Sequence, residues 1–457
     1  MAHQAADPQE AADFLAANPD LVAVDLLLPD QHGVMRGKRI PAHDLVKVYE
    51  SGIFLPGSVF ALDINGNTVE STNIGFATGD CDQPCRPLSN TLVPVPWQKN
   101  PMAQCLLTME QVPGEPFFAN PRHVLDRILE RFKALALTPV VAIELEFYLT
   151  DPERQTNGQL QAPISPVHGG RETDTQVYSM DNLDDYGELL EAIMAAAKVQ
   201  GIPASAAIAE YAPGQFEINL QHVDNPLLAC DQALMLKRLI RAVARQYGYE
   251  ATFMAKPFAE QAGNGMHIHM SLLDAKGNNI FAAGTAQSNK YLRQALAGLQ
   301  HTMADMMGIL CPKVNSLRRF QPDFFVPMAP TWGIDNRTVA LRIPNGAATG
   351  RRIEHRVAGA DANPYLAMSS LLAGTHYGLT KQLTLAAPIK GNAPEQVQPS
   401  LPLDWHSAQS KLAQSGFAET YLGADFLHVY QAVQEAEYKQ FNNQVTSLEI
   451  DWYQRTL

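Results

Sequence analysis

Four short stretches of the chain alternate between apolar and ionisable residues, the period-two signature of a strand with one buried face. In 140–149, Ile143, Leu145 and Phe147 point one way and Glu144 and Glu146 the other. In 215–221, Phe216, Ile218 and Leu220 oppose Glu217, which follows Glu210 by seven residues. In 265–272, Met266, Ile268 and Met270 oppose His267, His269 and Ser271; in 351–357, Ile353, His355 and Val357 oppose Arg352, Glu354 and Arg356. Between these strands the period changes to that of helices. Asn120 is placed as an N-cap with Pro121 at the first helical position, ahead of Val124, Leu125, Ile128, Leu129 and Phe132 on one face. Further helices are predicted over 185–200, closed by Gly201, and over 226–247, 289–307 and 363–379.

The start of the chain has a different texture. A helix over 8–18 ends at Pro19, and strands over 21–28 and 34–40 flank a turn at 30–33. A proline-rich tract (Pro84, Pro87, Pro94, Pro96, Pro101) precedes one more strand over 104–109. This predicts a small β-rich module whose boundary falls near residue 115, giving domains 17–115 and 116–457. Residues 154–175 and 387–404, rich in Pro, Gly and polar residues, are predicted surface loops.

At 457 residues, 46% hydrophobic and 18% charged, the chain has the composition of an ordinary globular protein of about two domains. Its net charge of −13 opposes a nucleic-acid partner, because binding a phosphate backbone needs a local excess of Lys and Arg. An acidic surface also draws cations such as polyamines. Met1 to Asp7 carries no basic-then-apolar leader, and no apolar run reaches the roughly 20 residues of a membrane span, so a cytoplasmic location and no membrane partner are expected. Cys81, Cys85, Cys105, Cys230 and Cys311 are an odd, sparse set that predicts free thiols; Cys81 and Cys85 lack the second pair or histidine of a metal site.

Any one alternating strand is explained by a half-buried sheet wetted on its polar side. Four together are not, because their polar faces concentrate Glu, His and Arg and nearly exclude Lys. Bringing Glu144, Glu146, Glu210, Glu217, Glu354 and His267 together without cations would force several carboxyl pKa values upward. Divalent metals remove that conflict, and carboxylates with one or two imidazoles suit Mg²⁺ or Mn²⁺. Arg319, Arg337, Arg342, Arg352 and Arg356 add paired donors for phosphates or carboxylates.

Several of these segments, in this order, resemble the glutamine synthetase superfamily from about residue 20 to the C-terminus: Glu144-Leu145-Glu146-Phe147, Gly214-Gln215-Phe216-Glu217, Lys256-Pro257, Gly265-Met266-His267-Ile268-His269, Asn336-Arg337-Thr338, Leu341-Arg342-Ile343-Pro344, Arg352-Ile353-Glu354-His355-Arg356 and Asp361-Ala362-Asn363-Pro364. The resemblance implies an α+β fold, with an N-terminal β-grasp domain followed by a catalytic domain whose curved antiparallel sheet, flanked by helices, forms a funnel. It implies two or three metal ions, with Glu146, Glu210 and Glu217 holding one and Glu144, His267 and Glu354 a second. It assigns His269, Ser271, Arg342 and Arg352 to ATP, Gly263, Arg319 and Arg356 to L-glutamate, and Arg337 to the transferred phosphate. The implied reaction passes the ATP γ-phosphate to the glutamate side chain, and an amine then attacks the acyl phosphate. The implied assembly is a hexameric ring, two of which stack into a dodecamer, with active sites between subunits.

The departures from the family pattern concern ammonia. Pro56-Gly57-Ser58-Val59 stands where glutamine synthetases have an Asp-Gly-Ser-Ser stretch that helps bind ammonium, and Phe325 stands where a loop Glu closes the site. Val59, Asp323 and Phe325 therefore become the candidate amine pocket, and Glu210 the candidate for taking the amine's proton. Arg36-Gly37-Lys38-Arg39-Ile40-Pro41, Gln176-Val177-Tyr178-Ser179 and Arg318-Arg319-Phe320-Gln321-Pro322 most resemble γ-glutamylpolyamine synthetases. The expected function is ligation of glutamate to putrescine, spermidine or spermine in amine catabolism. A ligase for monoamines of the ethanolamine type, a true glutamine synthetase and a non-catalytic scaffold are the alternatives. Ala262 replaces the Asn of the Asn-Gly-Ser-Gly stretch beside the glutamate site, and the tyrosine motif of adenylylation control is missing from 380–405.

Overall fold

The computed structural model describes residues 6–175, 177–322, 324–381 and 383–457. The N-terminal sheet has seven strands: β1 (Ala23–Pro29), β2 (Met35–Pro41), β3 (Ile53–Pro56), β4 (Asp82–Pro87), β5 (Val93–Pro94), β6 (Met102–Val112) and β7 (Glu115–Pro116). β1 and β2 form an antiparallel hairpin, the helix Leu45–Ser51 follows, and β6 returns parallel to β1. The sheet is covered on both faces. Val24, Leu26 and Leu28 of β1 enter a small core with Ala103, Cys105 and Leu107, whereas Leu27, Met102 and Leu106 enter the larger core of the remaining chain. That two-sided burial explains why 21–28 carries an almost unbroken apolar run.

The second sheet has eight strands: β8 (Thr138–Thr150), β9 (Ala204–Ala209), β10 (Gln215–Leu220), β11 (Glu250–Thr252), β12 (Met266–Leu273), β13 (Trp332–Ile334), β14 (Leu341–Ile343) and β15 (Ile353–His355). Its order is β13-β14-β15-β12-β8-β10-β9, with β11 on β8. All pairs are antiparallel except β13–β14, which is parallel. Helices Pro121–Ala134, Pro226–Gln246, Lys290–Thr302 and Pro364–Lys381 contribute to the large core that covers its apolar face. The mixed α+β class matches the expectation.

Individual elements differ from the sequence reading in instructive ways. The helix expected over 185–200 is two, Met180–Asp185 and Gly187–Val199, and that expected over 289–307 stops at Thr302 before a 3-10 turn. The proline-rich tract contains β4 and β5, in which Pro84 and Pro87 keep strand geometry without donating to the ladder. The strand expected over 351–357 keeps only Ile353–His355 in the ladder, leaving Arg352 and Arg356 at its two ends. The predicted loop 387–404 contains a short helix, Ala393–Gln396. All five cysteines are free, and only Cys81 is exposed.

The two cores are joined by polar ties. Asn363 donates to the Asp30 and Gln31 carbonyls in the β1–β2 turn, and Asp25 accepts from Arg238 at 2.8 Å. The penultimate helix, Ala424–Asn442, sends Val429 into the small core, and Glu437 accepts from the Ile64 backbone.

Candidate active site

Strand register brings the ionisable residues together. In an antiparallel ladder, directly opposed residues share a face. Glu144 is opposed by Asn219 of β10 and by His267 of β12; Glu146 is opposed by Glu217; Glu354 is opposed by His269 of β12 and by Arg342 of β14. The apolar residues between them, Ile143, Leu145, Phe147, Phe216, Ile218, Met266, Ile268 and Met270, are fully buried in the core beneath. The alternation read in the sequence is thus the boundary between a dry face and a polar one. That polar face lines a cavity of about 550 Å³.

Contacts inside the cavity are close. His269 Nε2 lies 2.8 Å from Glu144 Oε1, and His267 Nδ1 lies 3.3 Å from Glu144 Oε2. Arg352 Nε donates to His269 Nδ1 at 3.0 Å, and since a guanidinium only donates, that nitrogen accepts and Nε2 carries the proton toward Glu144. Glu146 accepts from the Gly265 backbone N–H at 2.7 Å. Glu354 accepts from Arg342 Nη1 at 2.8 Å and from Arg356 Nη1.

The electrostatics divide the acids into two sets. Burial, then the charge of Glu146, pushes the Glu210 carboxyl up to about 8, against the pull of Arg337. Burial together with Glu144, Glu146 and Glu210 drives Glu217 well above the usual carboxylate range. Burial also opposes ionisation of Glu144, but hydrogen bonds from His267 and His269 outweigh it and hold this acid below the usual range. Glu354 falls to about 2, because Arg356 and the two histidines overcome its burial. A cavity whose acids conflict in this way fits positive charge. Ligand atoms of Glu144, His269 and Glu354 lie within 4.8 Å of one another, as do those of Glu144, Glu217 and His267. Oxygen-rich sets with one imidazole suit Mg²⁺ or Mn²⁺. Glu144 belongs to both sets, and His269 stands among the potential ligands as well as facing Arg352.

Anion-binding groups occupy the walls. Arg319 is 3% exposed, and its Nε is buried without an acceptor among the described residues, as are those of Arg342 and Arg356. Glycines make room for Arg319: a Cβ on Gly263 would sit 2.5 Å from Arg319 Cγ and 2.5 Å from the Ala255 carbonyl. Arg337 projects from a loop held by Asn336, whose side chain donates to the Gly391 carbonyl at 2.8 Å.

Of the residues singled out from the sequence, Glu144, Glu146, Glu210, Glu217, Gly263, His267, His269, Arg319, Phe325, Arg337, Arg342, Arg352, Glu354 and Arg356 line this one cavity. Ser271 is not among its lining residues; it lies two positions beyond His269 on β12, paired with Val140. Val59 is also outside, buried in the small core of the N-terminal module. Asp323 and Gln176 lie outside the described residues, as do Met1 to Ala5. Sequence reasoning missed Asn219, although the alternation that exposes Glu217 also exposes the residue two further on. It also assigned no role to Tyr178 or Tyr211. These two, with Phe325, form an exposed aromatic rim, 58%, 43% and 57% accessible, above a floor whose Glu217 is 5% accessible.

Residues 118–453 match the family described as glutamine synthetase, catalytic domain. The chain belongs to the glutamine synthetase family. Within it, the chain is 45% identical to gamma-glutamylputrescine synthetase of Escherichia coli (strain K12), over 97% of this chain and 94% of the relative. It is 32% identical to glutamate–isopropylamine ligase of Pseudomonas sp, over 93% of each. Identity to gamma-glutamylethanolamide synthetase of Streptomyces coelicolor is also 32%, over 96% of this chain and 94% of the relative. The solved structure of ligand-free GmaS superposes with a TM-score of 0.83 at 25% identity, covering 96% of this chain and 98% of that one. No helix among the described residues is long and apolar enough to cross a membrane.

Proposed function

We propose that the chain is an ATP-dependent ligase that joins the γ-carboxylate of L-glutamate to an organic amine by way of γ-glutamyl phosphate. The observation that carries this reading is the pairing of an acidic, arginine-walled floor with an aromatic rim of Tyr178, Tyr211 and Phe325. The floor suits a phosphorylated nucleotide and a dicarboxylate; the rim suits a nucleophile that carries carbon. Three relatives named for putrescine, isopropylamine and ethanolamide support an organic amine over ammonia. A polyamine is the preferred class, since a cationic chain gains from both acids and aromatic faces. Monoamines are the second reading.

Arg342 and Arg352 orient the nucleotide phosphates, and Arg319 and Arg356 hold the carboxylates of glutamate; Arg319, Arg342 and Arg356 each keep a buried Nε–H without an acceptor among the described residues. Arg337 stands beside the transferred phosphate. Mg²⁺ or Mn²⁺ bound by the glutamates and His267 would polarise the phosphoryl oxygens and neutralise their charge. The amine arrives protonated, and Glu210, which a bound cation would keep ionised against its burial and the charge of Glu146, accepts its proton. Placing these groups before the reaction is the protein's main catalytic contribution, because phosphoryl transfer depends on position and electrostatics.

The N-terminal module is read as a β-grasp domain that completes the site of a neighbouring subunit in a hexameric ring, stacked as a dodecamer. Its exposed Phe54, Ile64 and Phe76 support a covered surface there. Under this reading Val59 reaches an amine only across the subunit boundary. Phosphate release across a panel of amines, each with and without glutamate, tests the assignment. Release that needs both glutamate and a diamine is expected, and release independent of glutamate would refute it.

A further inference from the structure

Asp335 lines a neighbouring cavity, not the ligand cavity, yet it holds two residues that line the latter. It follows β13 directly, and its backbone N–H donates to the Ile343 carbonyl of β14 at 2.9 Å. Its carboxylate accepts from Arg342 Nη2 at 2.7 Å through one oxygen and from the Asn345 side-chain amide through the other. Arg342 and Asn345 face the ligand cavity, whereas Asp335 faces the second one, of about 640 Å³. Arg337 and Phe325 stand on the wall between them.

The backbone shows that turn geometry alone does not call for this residue. Asp335 has φ +48°, a left-handed conformation that glycine takes at no steric cost. Aspartate tolerates that conformation better than most residues, and here its side chain is engaged. What that side chain does is fix one end of a guanidinium whose other end is fixed by Glu354: Arg342 Nη1 reaches Glu354 Oε2 at 2.8 Å while Nη2 reaches Asp335. Two acceptors on opposite sides set the plane of the group. They leave its Nε buried with no acceptor among the described residues, on the wall of the ligand cavity. With Glu354 alone, the guanidinium would be free to turn about a single contact.

We infer that Asp335 is a positioning residue for the nucleotide site, holding Arg342 and Asn345 from behind so that Arg342 meets the phosphates in one orientation. The inference rests on the reading of Arg342 as a phosphate contact. It concerns neither the amine nor glutamate.

Binding of Mg²⁺·ADP to the full-length protein, measured by calorimetry together with thermal melting, tests it in Asp335→Gly, Asp335→Asn and Arg342→Met. Losing a charged hydrogen-bond acceptor should weaken nucleotide binding about tenfold in Asp335→Gly. The melting temperature should hold or rise, because the glycine relaxes the backbone, and KM for glutamate should stay unchanged. Asp335→Asn should recover part of the affinity, since its amide oxygen still accepts. Normal affinity in Asp335→Gly beside weakened binding in Arg342→Met would overturn the inference and leave the phosphate reading standing. Normal affinity in both would overturn both. Should Asp335→Gly melt early, Asp335→Asn decides: reduced affinity at an unchanged melting temperature supports positioning, and unchanged affinity overturns it.

Discussion

Glu146 and Glu217 stand directly opposite each other across the β8–β10 ladder, two acids where a sheet ordinarily pairs opposite or neutral side chains. Such a pair is maintained against stability, and its relief is measurable. Glu217→Gln should melt higher than the parent in chelator-treated protein, because it removes the cost of keeping this buried acid protonated beside Glu144 and Glu146, while losing ligase activity. Glu217→Ala and His267→Ala should lose at least about a hundredfold in turnover at ordinary Mg²⁺ while keeping the fold. Near-normal turnover in either would dissolve the assigned metal site.

The same conflict predicts a pH dependence. Glu210 and Glu217 have folded-state pKa values raised above their ordinary 4.5, so the folded protein holds protons that the unfolded chain releases. Their contribution to stability is whole below about pH 4.5 and declines as pH rises toward the folded value, about 8 for Glu210. Glu144 and Glu354, shifted the other way, lose their contribution only in acid. His222 and buried His355, lowered from 6.5 to about 4, have finished their effect by about pH 7. Buried Lys237, lowered from 10.5 to about 7, adds stability above pH 7 with or without metal, so the acids are read from the difference: the rise in melting temperature on adding Mg²⁺ should grow between about pH 5 and pH 8. A curve of equal slope with and without Mg²⁺ would mean that these acids hold no cation.

Gly263 tests the glutamate site. A methyl group there collides with Arg319 and with the Ala255 carbonyl, so Arg319 must move. Gly263→Ala should raise KM for glutamate by roughly ten- to a hundredfold while KM for ATP changes little, since a displacement of about 1 Å costs on that order. Steady-state kinetics with each substrate varied in turn would show the split. A shared rise in both constants would indicate general damage instead.

Much of this site was legible in the sequence because its ligands lie on strands, where a period of two converts directly into a shared face. The positions of Glu144, Glu146, Glu217, His267, His269 and Glu354 follow from alternation plus register. What alternation cannot convey is which strands lie side by side, so Glu354 opposite His269 became visible only in the sheet. Loop residues carry no period. Tyr178 and Tyr211 escaped assignment for that reason, as did Asp335, whose role depends on a left-handed backbone that propensity does not reveal for an aspartate. Proline misled in the other direction, since β4 accommodates Pro84 and Pro87.

The assembly is open to a direct check. If the N-terminal module completes a neighbour's site, light scattering should find a ring-sized species of six or twelve chains, and dilution into monomers should abolish turnover. A fully active monomer would remove Val59 from the amine site.

Phe325 should set the preference for carbon-bearing amines. Burying a few methylenes at about 0.8 kcal/mol each favours a diamine over ammonia by one to two orders of magnitude. Phe325→Ala should therefore lower kcat/KM for putrescine about tenfold and leave KM for ATP nearly unchanged.

The central claim, that glutamate is joined to an organic amine, is tested most directly by product mass spectrometry with ATP, Mg²⁺, glutamate and equal concentrations of putrescine and ammonium. The account predicts γ-glutamylputrescine as the main product with little or no glutamine. Glutamine formed at a rate equal to or above that of every γ-glutamylated amine tested would contradict it and make the protein an ammonia-using glutamine synthetase.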